Sequence, residues 1–289
     1  MAILVNKETK VLVQGITGRV GSFQTKMMIE YGTKVVAGVT PGKGGTSMHG
    51  VPVYDLVEEA LVHEPNVAIS FVPGPYAADA AFEAIDAGLD LIVLIPEGIP
   101  NLDVLKIIRY AKERGTLILG PDTPGIISPG KAKVGGHPHK LFMEGNMGVI
   151  SRSGSLSYDT CKILTENGIG QSTVVGIGGG PIWGLTEIDV LEMFERDDET
   201  HAIVLLGEVG GTMEERAADY IKDNITKPVV AVIVGRHAPV GKRMGHAGAI
   251  IEGDKGSAAS KISALKNADV LIAKYPRDVP KLVSQFLKK

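Results

Sequence analysis

Short β-branched runs, apolar on both sides and each followed by a longer helical pattern, constrain this chain more than any other feature. They read "KVLVQG" (10–15), "KVVAGV" (34–39), "VAISFV" (67–72), "LIVLI" (91–95) and "LILG" (117–120). Between them stand "VGSFQTKMMIEYG" (20–32), "YAADAAFEAIDAG" (76–88) and "LDVLKIIRYAKERG" (102–115). A strand without a polar face must be covered on both sides, and crossover helices do this in a parallel sheet. The alternation restarts at "MGVISRSG" (147–154) and continues through "STVVGIGG" (172–179), "AIVLLGEVGG" (202–211), "PVVAVIVG" (228–235) and "DVLIA" (269–273). The expected fold is α/β, with one domain over 1–124 and a second over 147–289. Residues 125–146, which hold Pro129, Pro138 and several glycines but no sustained period, read as a connecting segment.

Composition narrows the partners. The 289 residues have room for two cores. Hydrophobic residues make up 44%, charged residues 22%, and the net charge is -3, as in a water-soluble globular protein. That balance gives no reason to expect nucleic acid or a membrane surface as partner. The start, "MAILVNKETK", is polar where a secretory signal needs an apolar core. No apolar run approaches the roughly 18–20 residues that cross a bilayer. Cys161 is the one cysteine, so an internal disulfide is excluded and a reducing, cytoplasmic setting is expected.

The first strand runs into "VLVQGITGRVGSF", with Gly15, Gly18 and Gly21 leading into a helix. Such a turn lets the N–H groups of a helix N-terminus approach a pyrophosphate. The spacing is G-x-x-G-x-x-G, and a plain strand–helix turn stays open as a reading. An NAD site expects an acidic residue about 20 positions on to hold the ribose. From Tyr31 to Tyr54 there is no Asp or Glu, and the second strand ends in "TPGKGG" with Lys43 on a glycine loop. A lysine there suits a phosphorylated ribose or a pyrophosphate, although a solvated turn lysine is the simpler alternative. The pattern disfavours a dehydrogenase and fits an ADP-like ligand with an extra phosphate, such as coenzyme A.

"GVTPGKGG", "SRSG", "VGIGG", "GEVGG" and "GKRMGHAGAI", in this order and spacing, resemble the alpha subunits of succinyl-CoA synthetases. These belong to the nucleoside-diphosphate-forming acid–CoA ligases. The resemblance implies a Rossmann-like CoA-binding domain followed by a flavodoxin-like domain that carries a phosphorylated histidine. It assigns His246 as that histidine and Glu208 as the carboxylate holding it. It assigns Thr17, Gly18, Arg19, Val20, Lys43, Ile95, Pro96 and Glu97 to coenzyme A. Ser153, Gly154 and Ser155 become the phosphate cradle, and Tyr158 contacts the acid. It also implies an ATP-grasp beta subunit, in a heterodimer or heterotetramer, carrying Mg²⁺ and ATP or GTP. The acid is expected to be succinate, and the acyl group to pass through an acyl phosphate.

The chemistry of the residues agrees with this. A histidine nitrogen holds a phosphoryl group as a covalent intermediate when the ring is neutral at one nitrogen and oriented through the other. Glu208 in "LLGEVGG" stands just past an apolar strand, where α/β sheets place their sites. The glycines around His246 leave clearance for a partner to approach. "SRSGSLSYD" reads equally as an anion-binding helix start and as ordinary serine capping. The chain has no G-x-x-x-x-G-K-[ST] loop, which agrees with a nucleotide held elsewhere.

Some positions depart from the family pattern. "GPNCPG" is replaced by "GPDTPG" (120–125), "GIGGDP" by "GIGGGP" (176–181), and "ITEGIP" by "LIPEGIP". An added Asp122 and a bare Gly180 leave citrate or malate as alternative acids. His137 and His139 form an H-x-H pair without further ligands at metal spacing, so no metal site is expected. A CoA-binding regulatory or scaffold protein is the competing class, and the intact "GHAGA" and Glu208 speak against it.

Overall fold

The computed structural model describes residues 2–251 and 256–286. Their strands form two sheets of seven strands each. The first sheet holds β1 (Lys10–Gln14), β2 (Lys34–Val39), β3 (Ser47–Met48), β4 (Val51–Tyr54), β5 (Val67–Ser70), β6 (Leu91–Leu94) and β7 (Leu117–Leu119). Its order is β3-β4-β2-β1-β5-β6-β7, with only β3 antiparallel to its neighbour. The six parallel strands therefore grow outward in both directions from β1, the Rossmann arrangement. Helices α1 (Arg19–Tyr31), α2 (Val57–Ala60), α3 (Ala77–Asp86) and α4 (Asn101–Arg114) make the crossovers. Each buries one apolar stripe: α3 through Ala77, Ala81, Ala84 and Ile85, and α4 through Val104, Ile107 and Ala111. Glycine stops α1, because Gly32 at φ 97 turns its N–H back to the carbonyls of Ile29 and Met28.

The second sheet holds β8 (Gly125–Ser128), β9 (Ala132–Gly135), β10 (Glu144–Ser151), β11 (Gln171–Gly176), β12 (Ala202–Gly207), β13 (Val229–Ile233) and β14 (Leu271–Ala273). Its helices are α5 (Gly154–Glu166), α6 (Glu187–Arg196), α7 (Met213–Asn224), α8 (Ala258–Asn267) and α9 (Val279–Val283). The strand order is β14-β13-β12-β10-β11-β8-β9. Counted in chain order, its parallel strands lie 2-1-3-4-5, as in flavodoxin. The switch point falls between β10 and β12. The loops after those two strands, one starting at Arg152 and one at Glu208, thus leave the sheet side by side.

Residues 125–146, expected as a connecting segment, contribute β8, β9 and the start of β10 to this sheet. β8 runs antiparallel to β11, pairing Ile127 with Val174 and Ile126 with Val175. Two four-residue runs set among prolines and glycines are too short to show a period. What makes them strands is an edge nearly 50 residues downstream in sequence.

The two sheets share an interior. One cluster of buried side chains includes Val13 and Leu119 from the first sheet, Met28 from α1, Ile126 and Val175 from the second sheet, and Ile177 just after β11. Backbone bonds cross the junction at Leu185 N–H to Ile118 O (2.7 Å) and Gly184 N–H to Gly120 O (3.0 Å). The Thr33 hydroxyl donates to Lys133 O at 2.9 Å and accepts from Lys133 N–H at 3.0 Å, both buried. This docking sets the loop after β6 against the loops after β11 and β13.

Candidate active site

His246 lies on the long loop after β13. Its Nδ1 is 2.9 Å from both carboxylate oxygens of Glu208, which stands at the C-terminal end of β12 with 7% exposure. A carboxylate on Nδ1 makes that nitrogen the N–H donor and leaves the ring lone pair at Nε2. The hydrogen bond to Glu208 raises the His246 pKa above its ordinary value, against the opposing effect of burial.

Behind Glu208 lies a chain of buried charge. Arg152 is 1% exposed, and its guanidinium reaches Glu208 at 3.4 Å, Glu214 at 3.2 Å and the Gly210 carbonyl at 3.1 Å. Its flat face lies over the Trp183 ring, 5.1 Å from the centroid. Burial works against the Arg152 charge, but Glu214, Glu208 and Glu187 outweigh it and hold the pKa above the ordinary arginine value. Glu214 also accepts from the fully buried Lys261, and from the Glu208 backbone N–H at 3.0 Å. Glu187, at the first turn of α6, has both carboxyl oxygens buried without a hydrogen-bond partner. Burial, with Glu214 beside it, pushes that carboxyl well above the carboxylate range.

Besides the His246–Glu208 contact, backbone holds the loop over this cluster. Gly248 N–H donates to Gly179 O at 3.1 Å, and a Cβ on Gly248 would stand 2.6 Å from Gly180 O and 3.1 Å from Arg152 Nη2. Only a glycine lets the loop approach that closely.

Ser153 is the N-cap of α5, with its Oγ accepting from Leu156 N–H at 3.4 Å. Ser155 Oγ lies 3.3 Å from Ser153 Oγ at the same helix start. Tyr158, one turn on, is half-buried and packs edge-on against His137 and Phe142. His137 itself is fully buried, and burial with Lys133 nearby lowers its pKa to about 3. Among the described residues no group of three His, Cys, Asp or Glu side chains is placed to hold a metal ion.

The residues assigned to coenzyme A divide between two cavities. Thr17, Gly18, Arg19 and Val20 line one of about 800 Å³, closed on its far side by Phe71, Val72 and Tyr76. Gly18 is the N-cap of α1 and makes no side-chain cap, so the first N–H groups of the helix face this space. Pro96 and Glu97 line a second cavity of about 500 Å³ with Asp122, Gly180, Ile182 and Arg243. The loops after β5 and β6, which line one cavity each, pack closely, and a Cβ on Gly74 would stand 2.9 Å from Glu97 O. Lys43 lies outside both linings. It is exposed, and its backbone N–H donates to Asp55 Oδ1 at 3.0 Å. Ile95 is half-buried and packs against the main core. Arg152, Glu214, Lys261, Glu187 and Trp183 are the parts of the site that sequence reasoning missed.

Known proteins show the family. The CoA binding domain family matches residues 6–98, and the CoA-ligase family matches residues 150–271. The alpha 1 subunit of ADP-forming succinate–CoA ligase from Archaeoglobus fulgidus is 57% identical over 100% of this chain and 99% of its own. The chain belongs to the alpha-subunit family of succinate–CoA ligases. The Aquifex aeolicus and Staphylococcus aureus alpha subunits of ADP-forming succinate–CoA ligase are 53% and 51% identical over 100% of this chain. Those matches cover 95% and 96% of the two relatives, and the succinate–CoA ligases are carbon–sulfur bond-forming ligases. ATP citrate lyase from Methanothrix soehngenii, solved with citrate and coenzyme A, superposes with a TM-score of 0.87 at 25% identity. That match covers 98% of this chain and 51% of the lyase, so the alpha-subunit fold spans about half of the longer enzyme. The dinucleotide-forming acetyl-coenzyme A synthetase 1 of Candidatus Korarchaeum cryptofilum shares the fold, with a TM-score of 0.75 at 23% identity over 94% of this chain and 59% of the synthetase.

Proposed function

We propose that this chain is the alpha subunit of an ADP-forming succinate–CoA ligase in which His246 carries the phosphoryl group. The observation that carries the reading is the Nδ1 contact of His246 to both Glu208 oxygens at 2.9 Å. With Nδ1–H held by Glu208, the Nε2 lone pair attacks phosphorus. The Nε2–P bond forms as the P–O bond to the leaving ADP oxygen breaks, and the positive charge arising on the ring is met by Glu208. Arg152 holds the Glu208 carboxylate from behind. In the next step a carboxylate oxygen of succinate takes the phosphoryl group and the Nε2–P bond breaks. The N–H groups of Gly154 and Ser155 and the hydroxyls of Ser153 and Ser155, together with the α5 dipole, stabilise the anion during transfer, while the Ser153 N–H is held by Ser151 Oγ at 3.1 Å. Tyr158 borders that helix end and contacts the acid.

Residues 1–124 form the CoA-binding domain in this reading, and residues 147–289 the ligase domain. The free N–H groups behind Gly18 and the cavity lined by Thr17, Gly18, Arg19 and Val20 fit a pyrophosphate. Pro96 and Glu97 line the second cavity, which Arg243 and Ala247 of the histidine loop also border, and Ile95 supports them from the core. Lys43, exposed at the rim, meets a phosphate outside the pocket. The thiolate of coenzyme A then attacks the acyl carbon, the C–S bond forms as the C–O bond to phosphate breaks, and inorganic phosphate leaves.

The magnesium nucleotide belongs to an ATP-grasp beta subunit that approaches the exposed loop around Lys242–Gly245, in the cytoplasm. The test is labelling of the co-expressed heteromer with γ-labelled ATP, then discharge by coenzyme A with succinate, citrate or malate. An acid-labile label discharged best by succinate is expected. In His246→Ala, label and turnover vanish while retention on a coenzyme A matrix persists. Full activity of that variant overturns the reading.

A further inference from the structure

The imidazole of His246 has a second carboxyl beside it, on the edge away from Glu208. Asp122 follows β7 and sits at φ 58, a left-handed conformation that Asp and Asn tolerate better than most residues. It is held from two sides, with its N–H donating to Pro96 O at 3.1 Å and its carbonyl accepting from Gly179 N–H at 3.1 Å. Those contacts fix it between the loop after β6 and the loop after β11.

Its side chain faces the histidine across bare backbone. A Cβ on Gly179 would stand 2.5 Å from His246 Cδ2 and Cγ, and 2.9 Å from Asp122 Oδ2. Cδ2 is the ring carbon bonded to Nε2, the nitrogen that Glu208 leaves free. Asp122 also lines the cavity of about 500 Å³ that Arg243 and Ala247 of the histidine loop border. The charged groups around it are His246 and Arg243 from the loop after β13, Glu97 from the loop after β6, and Glu208 from the end of β12. Burial raises the Asp122 pKa, with His246 opposing. Asp122 in turn adds to the elevation of the His246 pKa that Glu208 dominates.

We propose that Asp122 is a positioning residue that sets the pH range in which His246 accepts a phosphoryl group. Ionised, it favours the imidazolium, which has no lone pair at Nε2 and cannot attack phosphorus. Glu208 alone orients the ring, so removing the Asp122 charge leaves the geometry and shifts the protonation. The inference rests on His246 being the phosphorylated residue.

The test is the pH dependence of phosphoenzyme formation in the alpha–beta complex, comparing the native chain with Asp122→Asn. Asparagine keeps the shape and the left-handed backbone and removes the charge. The acid limb is expected to move down by about one pH unit, the low end of the effect of an opposite charge at this range. At a fixed pH on that limb, labelling then rises roughly tenfold. Imidazole titration by NMR of ¹³C-labelled histidine in the complex, with His246 assigned through His246→Gln, should show the same displacement. An acid limb and a His246 titration that stay in place overturn the proposal, as does a rate lowered by one factor at every pH. Absence of acid-labile label on the native complex at every pH would instead refute the phosphohistidine reading itself.

Discussion

Arg152 carries a full charge with almost no access to water, and the carboxylates around it keep it there. A buried ion of this kind contributes little net stability when paired, yet removing one partner strands the others. Arg152→Met is therefore expected to destabilise the protein by about 3–5 kcal/mol, because Glu208 and Glu214 lose their shared cation. Urea unfolding measures this, and a loss below about 1 kcal/mol would show that water replaces the guanidinium. The same cluster explains why the histidine could be read from the sequence and its support could not. His246 stands out by its glycine surroundings and Glu208 by its place after an apolar run. Glu214 and Lys261 look like any polar residues on amphipathic helices. Their burial arises only when α7 and α8 pack together over the end of β12. Arg152 carried one signal, its position directly after the strand "GVIS", and that signal was weaker than the Ser/Gly turn beside it.

The turn from β1 into α1 does its work by being narrow. A Cβ on Gly21 would stand 2.2 Å from the Gly15 carbonyl oxygen, a backbone atom that cannot swing aside. Gly21→Ala should push the first turn of α1 off the sheet, costing about 1–3 kcal/mol as overpacking does, and widen the cradle of N–H groups. A lower melting temperature together with weaker retention on a coenzyme A matrix is expected. Unchanged retention would separate that turn from ligand binding. At this scale the sequence was most informative. Each run read as a first-sheet parallel strand coincides with an observed strand to within two residues at either end, since a fully buried strand must be apolar throughout. The hairpin of β8 and β9 was missed, because four residues between prolines and glycines carry no periodicity.

The shared interior of the two halves predicts that they unfold as one cooperative unit. Trp183, the single tryptophan, belongs to the second half and stands against Arg152 beside the junction. Its fluorescence should therefore report the same unfolding midpoint as far-UV circular dichroism, which sees both sheets. Coenzyme A bound at the first sheet should raise that Trp183 midpoint too, the unfolding free energy increasing by about 2.7 kcal/mol at a hundredfold excess over its dissociation constant. Two separated transitions, or a ligand shift confined to the circular dichroism signal, would show that the halves unfold independently.

Sequence alone determined the α/β class, the main run of parallel strands, the glycine turn before α1, the candidate histidine loop and the family. Each of these is written in local residue pattern: apolar runs, glycine spacing, and a polar residue where a strand stops. Only the tertiary structure decided which loops meet. Glu208 and His246 are 38 positions apart, and Arg152 and Glu214 are 62 apart. Strand order brings β10 and β12 side by side, and the docking of the two sheets carries Asp122 to the edge of the imidazole. No local period encodes that placement, because it is set by how buried faces fit together across the whole chain.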